Sequence, residues 1–209
     1  SKNYYDLSTI KDKGIEALVY TKKSTVSTNE DLSITMWFRP KFVANNATDV
    51  LISGKIANEG LELSVNESEL NIKINGDTET YTLDSALENG TWYGLVFNLN
   101  NKYGTMTTDL YRLDPMNNWE TANSTKKTIT SVLHKTKDFT LPYSWNINKQ
   151  WSLMPGNLEL TNVRLFSKPI ELEQHTNILQ QYVVRDNHLA KIIDNAIPSI
   201  QLRRYNQNR

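Results

Sequence analysis

The sequence predicts an all-β protein, a sandwich or barrel of short strands, within its 209 residues. Three observations predict this fold class. Apolar residues take every second place in several short segments, as they do in a strand with one buried face. Gly, Asn, Asp and Pro, which favour turns, separate these segments. Helical periodicity appears only after residue 166.

The alternation is clearest over residues 32–38, and Pro40 then closes the strand. Residues 69–74 also alternate, and Asn75-Gly76 follows them. Both turn residues tolerate positive φ, so this pair predicts a hairpin that returns over residues 78–83. Further strands are predicted over residues 50–53, 61–65, 91–99, 105–113, 127–133 and 158–166.

Helical signals are confined to the C-terminal part of the chain. Ser167 and Pro169 predict a helix start as a cap and a first-turn proline. Apolar positions then recur at helical spacing, namely Leu172, His175, Leu179 and Val183. A second helical segment is predicted over residues 186–196, before Pro198, whereas residues 199–209 have no periodicity.

The composition excludes several classes of protein. The formal net charge is zero, so no overall positive field attracts nucleic acid or an anionic membrane. No apolar run approaches the roughly 20 residues of a membrane span, and no signal peptide is expected. The absence of cysteine excludes disulfides, a thiol nucleophile and thiolate metal sites.

The sequence also lacks the motifs of common catalytic sites. Its three histidines, His134, His175 and His188, are far apart, and His175 on the apolar side of the helix is interpreted as a packing residue. No HExxH pair, Gly-x-Ser-x-Gly elbow or phosphate-binding glycine loop occurs. We therefore predict that the chain is not an enzyme.

Five segments in order carry a resemblance to a known family. They are residues 33–40 (Ser-Ile-Thr-Met-Trp-Phe-Arg-Pro), 50–55 (Val-Leu-Ile-Ser-Gly-Lys), 90–97 (Gly-Thr-Trp-Tyr-Gly-Leu-Val-Phe), 109–114 (Asp-Leu-Tyr-Arg-Leu-Asp) and 156–171 (Gly-Asn-Leu-Glu-Leu-Thr-Asn-Val-Arg-Leu-Phe-Ser-Lys-Pro-Ile-Glu). Together they resemble the concanavalin A-like superfamily in its laminin G-like form. Gly94 stands where that pattern often has His, and Leu113-Asp114 replaces its usual turn. The resemblance covers residues 1–182 and implies a two-sheet antiparallel jelly-roll sandwich.

Residues 183–209 are predicted to lie outside this sandwich, as a short helix and an extended C-terminal arm. Their Val-Arg-Asp-x-His-Leu-Ala and Ile-Asp-Asn-Ala-Ile-Pro runs resemble C-terminal extensions in structural proteins of large tailed bacteriophages. This resemblance implies a non-enzymatic virion structural or decoration protein, located in the virion. The arm would dock on other virion proteins or on an upstream domain of the same chain. Apolar burial and charged hydrogen bonds would come from Leu189, Ile192, Ile193, Ile197, Arg203 and Arg204.

The alternative is a carbohydrate-binding, lectin-like module for attachment to a cell surface, with an extracellular location. Two long polar segments, residues 114–124 and 139–156, are rich in Trp, and such loops commonly bind something or cover a sheet. Aromatic rings beside amide groups are typical of sugar sites, and the candidates are Asn117, Asn118, Trp119, Tyr143, Trp145 and Trp151. A second interpretation of these rings, left open, is that they pack over the sandwich.

The same superfamily also contains glycosidases, which need two carboxyl groups on one face. The Glu-x-Asp-x-x-Glu pattern is missing, and Glu67 and Glu69 flank a turn, so both are interpreted as solvated. A Ca²⁺ site at Asp77 has little support, because the turn at Asn75-Gly76 explains this residue. No cofactor and no nucleic-acid partner are predicted.

Overall fold

The computed structural model of the chain describes residues 4–8, 18–21, 31–45, 47–56, 59–100, 103–114, 129–139, 150–166, 168–180, 184–185, 188–189 and 202–204. Within these ranges, two antiparallel sheets pack face to face, and one short helix lies on the outer face of one sheet. This is the predicted all-β sandwich of the jelly-roll type, with a short helix near its C-terminal end. No described helix is long and apolar enough to cross a membrane.

The first sheet, here called sheet A, has six described strands. They are β1 Tyr5–Asp6, β3 Leu32–Pro40, β8 Tyr93–Asn100, β9 Thr105–Leu113, β10 Ile129–Asp138 and β12 Leu158–Phe166. Their spatial order is β1-β12-β3-β8-β9-β10, so β10 forms one edge.

The second sheet, sheet B, has seven described strands. They are β2 Leu18–Thr21, β4 Asp49–Ile56, β5 Glu59–Val65, β6 Glu69–Ile74, β7 Asp77–Thr82, β11 Gln150–Leu153 and β15 Leu202–Arg204. Their order is β15-β2-β11-β4-β5-β6-β7, so β7 forms one edge. A separate small pair joins β13 Val184–Arg185 to β14 His188–Leu189.

The alternation in the sequence places one face of each long strand in the core. The main cluster lies between the sheets, and fully buried residues of sheet A such as Ile34 and Phe97 pack there with Leu63 of sheet B. Burying one such side chain contributes about 1.5–3 kcal/mol. A second cluster on the outer face of sheet A contains Trp37 and Trp92, at 3% and 9% exposure, so both indoles are packing residues.

The predicted Asn75-Gly76 hairpin is confirmed. Ile74 pairs with Asp77, and the two residues between them have φ of 50° and 89°. These positive values are those of the two-residue turn that matches the twist of paired strands. The turn thereby fixes the register of β6 and β7.

The helix starts later than predicted. A 3₁₀ turn spans Leu172–Gln174, and helix α1 then spans His175–Gln180. The backbone before it is held to sheet A instead, because the side chain of Asn98 bonds both the amide and the carbonyl of Ile170, at 2.7 and 3.0 Å. Pro169 therefore precedes the helix rather than lying in its first turn.

The C-terminal region also differs from the prediction. Within the second predicted helix, His188–Leu189 forms strand β14, which pairs with β13, and Leu202–Arg204, expected to be irregular, pairs with β2. Part of the predicted arm therefore extends the sandwich's own sheet B. The polar segment 139–156 likewise contains a strand, β11, which pairs with β2 and β4.

Candidate functional site

The residues predicted to bind sugar fall into two groups. Asn117, Asn118, Trp119, Tyr143 and Trp145 lie outside the described residues, so their role stays a prediction. Trp151 is described, and its side chain is only 1% exposed. Its ring lies against Gly54 in the core and offers no face to a sugar, which corrects its inclusion among the sugar-binding candidates.

The predicted docking residues are described only in part. Leu189 lies in β14, and Arg203 and Arg204 lie in β15. Ile192, Ile193 and Ile197 lie outside the described residues. The docking role of this group stays a prediction.

A groove opens where the edges of the two sheets meet, between β6–β7 of sheet B and β9–β10 of sheet A. It encloses about 450 Å³. Its lining residues are Ile72, Ile74, Asn75, Asp77, Thr78, Glu79, Met106, Lys137, Asp138 and Phe139. This volume lies within the range of sites for small ligands.

The floor of the groove is apolar and contains one aromatic ring. Ile72 and Met106 belong to the main core cluster, and Ile74 and Phe139 are partly buried against it. The backbone amide of Phe139 donates to the carbonyl of Gly104 at 2.8 Å. Gly104 has a φ of 63°, and a Cβ there would lie 2.9 Å from the Phe139 carbonyl oxygen, so glycine permits this close approach.

The rim of the groove is polar and mainly acidic. Asp77 and Glu79 supply two carboxylates, and Lys137 is the one cation among the described lining residues. Asp138 also lines the groove, but strand alternation places its side chain on the outer face of sheet A with His134. The Lys137 ammonium donates to the Glu79 carboxylate and joins the edges of the two sheets. The groove therefore combines an apolar floor with an excess of negative charge.

Asn75 is fixed at the end of the groove by two hydrogen bonds to Gly60. Its backbone amide donates to the Gly60 carbonyl at 3.0 Å, and its Oδ1 accepts from the Gly60 amide at 2.9 Å. The side-chain orientation is thus set by the fold. Its Nδ2 is left as a donor for a ligand hydroxyl.

A second polar cluster lies under helix α1, on the outer face of sheet A. Asp109 of β9 is 2% exposed, and its Oδ1 lies 2.5 Å from Nδ1 of His134, the residue opposite it on β10. Its Oδ2 lies 4.0 Å from Nδ1 of His175. The hydroxyl of Tyr111 is 2.8 Å from that same nitrogen. The cluster therefore joins β10, β9 and the helix.

The hydrogen bonds assign the tautomer of His175. Its Nε2 lies 3.2 Å from the carbonyl oxygen of Ile170, so Nε2 carries the proton and donates. Nδ1 then accepts from the Tyr111 hydroxyl. With 2% exposure and both nitrogens bonded, His175 acts as the packing residue that its helical position predicts.

Burial governs the electrostatics of this cluster. It lowers the pKa of His175, although the Asp109 carboxylate opposes the change. Burial, with a further contribution from Asp109, raises the pKa of the Tyr111 hydroxyl to about 12. Both side chains are therefore neutral near pH 7, as their mutual hydrogen bond requires.

The end of helix α1 is also fixed by sheet A. The Trp37 indole donates to the Leu179 carbonyl at 3.1 Å, and Arg164 donates to the Ile178 carbonyl at 3.2 Å. These bonds satisfy carbonyl groups that a helix end leaves without partners. The polar residues on this face therefore position the helix on sheet A.

The carboxylates weighed for catalysis, Glu67 and Glu69, lie at the turn that leads into β6. Asn66 Oδ1 accepts from the amides of Ser68 and Glu69 at 2.9 and 2.8 Å, which confirms the turn predicted there. Glu67 is exposed and Glu69 is half-buried. Among the described residues, no group of three or more His, Asp or Glu side chains is arranged to hold a metal ion.

The sequence analysis missed the groove. In the sequence, the hairpin turn explains Asp77 better than a Ca²⁺ site does, and Phe139 marks only the start of a polar segment. Glu79 and Lys137 are 58 positions apart, and nothing local marks them as neighbours. The Asn75-Gly76 hairpin is the one sequence signal that points toward the groove, because it places Asp77 and Glu79 on the same face of strand β7.

Comparison with solved structures supports the fold. The binding domain of botulinum neurotoxin serotype D aligns with a TM-score of 0.54 and 15% identity over 78% of this chain and 40% of that one. The binding domain of neurotoxin DC in complex with SialylT gives 0.53 and 14%, over 78% and 38%. The same domain in complex with rat synaptotagmin II gives 0.51 and 14%, over 74% and 36%. This chain thus spans about two fifths of those chains.

No curated protein matches the sequence. Among protein families, residues 13–174 match the one described as the concanavalin A-like lectin/glucanases superfamily. The match includes most of both sheets and the start of the docked helical segment. The chain therefore belongs to the concanavalin A-like lectin/glucanase superfamily.

Proposed function

We propose that this chain is a non-catalytic carbohydrate-binding module that attaches its parent protein or particle to a surface glycan. The observation that carries the proposal is the groove between β6–β7 and β9–β10. A sugar ring has an apolar face of C–H groups and a rim of hydroxyl groups. The partly buried Phe139 ring can pack against the apolar face of a sugar, and the carboxylates and Asn75 can hydrogen-bond its hydroxyl groups.

Two further facts support binding over catalysis. The three structural neighbours described above are binding domains, and one of them is in complex with SialylT. In the groove, Glu79 is committed to the ion pair with Lys137, which joins the two sheets. A carboxylate held in this way is poorly suited to deliver a proton to a substrate.

The virion role predicted from residues 183–209 stays a prediction. Leu202–Arg204 pair with β2, so their backbone already has a partner within the chain. This pairing removes part of the reason for expecting the arm to dock elsewhere. We therefore rank glycan binding first.

The test is a glycan array probed with the labelled chain, once with calcium and once with a chelator. The proposal predicts selective binding that survives the chelator. Asp77→Asn and Phe139→Ala should weaken binding if the groove holds the sugar, whereas Trp119→Ala and Trp145→Ala should weaken it if the loops predicted from the sequence do. Asp84→Asn, an exposed carboxylate that does not line the groove, is the matched control.

Absence of binding to every glycan on the array, both with calcium and with the chelator, would contradict the proposal. Release of shortened sugars from a bound oligosaccharide would contradict its non-catalytic part. Circular dichroism of each variant separates loss of the sugar site from loss of the fold.

A further inference from the structure

Helix α1 is docked on sheet A through a histidine that has two candidate partners for one ring nitrogen. We propose that acid moves Nδ1 of His175 from the Tyr111 hydroxyl to the Asp109 carboxylate, and that helix α1 shifts on sheet A with it. The docked helix is then a pH-dependent switch with two defined hydrogen-bond arrangements. This switch lies on the outer face of sheet A, so it is separate from the groove and from the sugar site proposed there.

The neutral form of His175 satisfies the first arrangement completely. Nε2 donates to the carbonyl oxygen of Ile170 over 3.2 Å, and Nδ1 accepts from the Tyr111 hydroxyl over 2.8 Å. A proton added to Nδ1 turns this acceptor into a donor. The Tyr111 hydroxyl can then no longer donate to Nδ1, so the bond that defines the neutral form is lost.

The Asp109 carboxylate supplies the acceptor for the second arrangement. Its Oδ1 already bonds Nδ1 of His134 at 2.5 Å, but its Oδ2 is buried and has no hydrogen-bond partner among the described residues. This Oδ2 lies 4.0 Å from Nδ1 of His175. A buried carboxylate oxygen without a partner is unusual, because nothing compensates the loss of its hydration. A bond from protonated His175 gives Oδ2 the partner that it lacks.

The distance requires a small movement of the helix. A hydrogen bond between a charged donor and a charged acceptor is ~2.7–2.9 Å long, so Nδ1 must approach Oδ2 by about 1 Å. Two bonds from Asn98, at 2.7 and 3.0 Å, hold the backbone of Ile170 in place, whereas His175 is the first residue of the helix and moves with it. At the other end of the helix, the Trp37 indole donates to the Leu179 carbonyl at 3.1 Å. This indole bond therefore reports a shift of the helix.

The charged groups around His175 set the pH of the exchange. Burial lowers the pKa of His175, and the Asp109 carboxylate on β9 raises it. His134 on β10 also lowers this pKa, and Glu171 in the helical segment raises it. Arg164 of β12 lies on the same face, where it donates to a carbonyl of the helix. Burial outweighs the carboxylates, so we expect the exchange below about pH 6.5.

The test is an NMR titration of the intact chain, labelled with nitrogen-15, from about pH 8 to about pH 4.5. It follows the imidazole nitrogens of His175 and the indole N–H of Trp37. We expect Nδ1 to gain a proton, and the indole signal to shift with the same midpoint. An indole signal that stays constant while His175 titrates would mean that the helix does not move, and it would overturn the switch. Loss of the fold before His175 titrates would overturn it as well.

Two variants test the exchange of partners. Asp109→Asn removes the charged acceptor and should lower the midpoint of His175 by about 1 pH unit or more. Tyr111→Phe removes only the bond of the neutral form and should raise the midpoint by about half a pH unit or more. Asp84→Asn, an exposed carboxylate that is not among the groups acting on His175, is the matched control and should leave the midpoint unchanged.

The variants keep the proposal open to disproof even if one of them does not fold. If Asp109→Asn is unfolded, Tyr111→Phe decides alone, and an unchanged or lowered midpoint in that variant overturns the exchange. If both variants fold and neither changes the midpoint, His175 titrates without changing its partner, and the proposal is wrong.

Discussion

The Tyr111 hydroxyl and Nδ1 of His175 lie 2.8 Å apart, both buried, and join strand β9 to helix α1. The bond runs from an outward-facing strand residue to the first residue of the helix. It belongs to the set of polar contacts, from Asn98, Trp37 and Arg164, that hold residues 168–180 on sheet A. The helix is therefore positioned by directional bonds as well as by burial of Ile178 and Leu179.

Tyr111→Phe should destabilise the fold by about 1–3 kcal/mol, because Nδ1 of His175 would remain buried without a hydrogen-bond donor. The midpoint of urea denaturation measures the change. Tyr103→Phe is the control, since its side chain is 70% exposed, and it should change stability by less than about 0.5 kcal/mol. Equal effects of the two substitutions would contradict the role given to the Tyr111–His175 bond.

The stability of the protein should fall on the acid side of about pH 6.5. Burial lowers the pKa of His175 in the folded protein, so the unfolded chain binds more protons once the pH drops below its ordinary value. Asp109 and Glu171 oppose the shift, and His134 reinforces it. His175→Gln should flatten this acid limb when urea midpoints are compared across the range, and a limb of the same slope in that variant would count against His175 as its source.

On the alkaline side, Tyr111 should make stability fall above about pH 10. Its pKa is raised to about 12 in the folded protein, so the unfolded chain loses the phenolic proton first. Urea midpoints measured from pH 8 to 11.5 would show the decline, and Tyr111→Phe should reduce it. An unchanged alkaline limb in that variant would contradict the assignment to Tyr111.

Two glycines that face different apolar clusters should respond differently to alanine. A Cβ at Gly54 would lie 2.6 Å from the Trp151 ring, whereas one at Gly94 would lie 3.0 Å from the methyl groups of Leu179 and 3.2 Å from the Trp37 ring, a looser contact with the indole. A buried indole cannot yield, so Gly54→Ala should cost about 1–3 kcal/mol. Leu179 can shift by a few tenths of an ångström, so Gly94→Ala should cost less than about 1 kcal/mol. Denaturation midpoints in the reverse order would contradict this packing.

Much of the sandwich could be predicted because its signals are local. Residues 105–113 and 158–166 were predicted with the boundaries that β9 and β12 have, and Asn75-Gly76 specified its own hairpin. Strand β10 was predicted to end at residue 133, although it continues to Asp138. The side chains of residues 134–138 are all exposed, so neither face of this segment needs apolar residues and no alternating pattern marks the strand.

The strands that were missed depend on distant partners. Trp151 and Leu153 are the buried residues of β11, but two positions within a polar stretch give too short a pattern. Strand β15 forms only against β2, far away in the sequence. The groove could not be predicted for the same reason, because Lys137 and Glu79 meet only through the packing of two sheets.

Removal of residues 199–209 should expose the edge of β2. Leu202 pairs with Tyr20, and Arg204 with Leu18, so truncation leaves this strand with β11 as its one described neighbour. Hydrogen exchange of the peptide that contains residues 18–21 should accelerate about tenfold or more, a change of roughly 1.4 kcal/mol in local opening. Exchange in β7, at the opposite edge of sheet B, is the internal control and should be unaffected. Unchanged exchange in β2 would mean that the C-terminal strand does not protect the sheet in solution, and it would return residues 199–209 to the role of an arm for another protein.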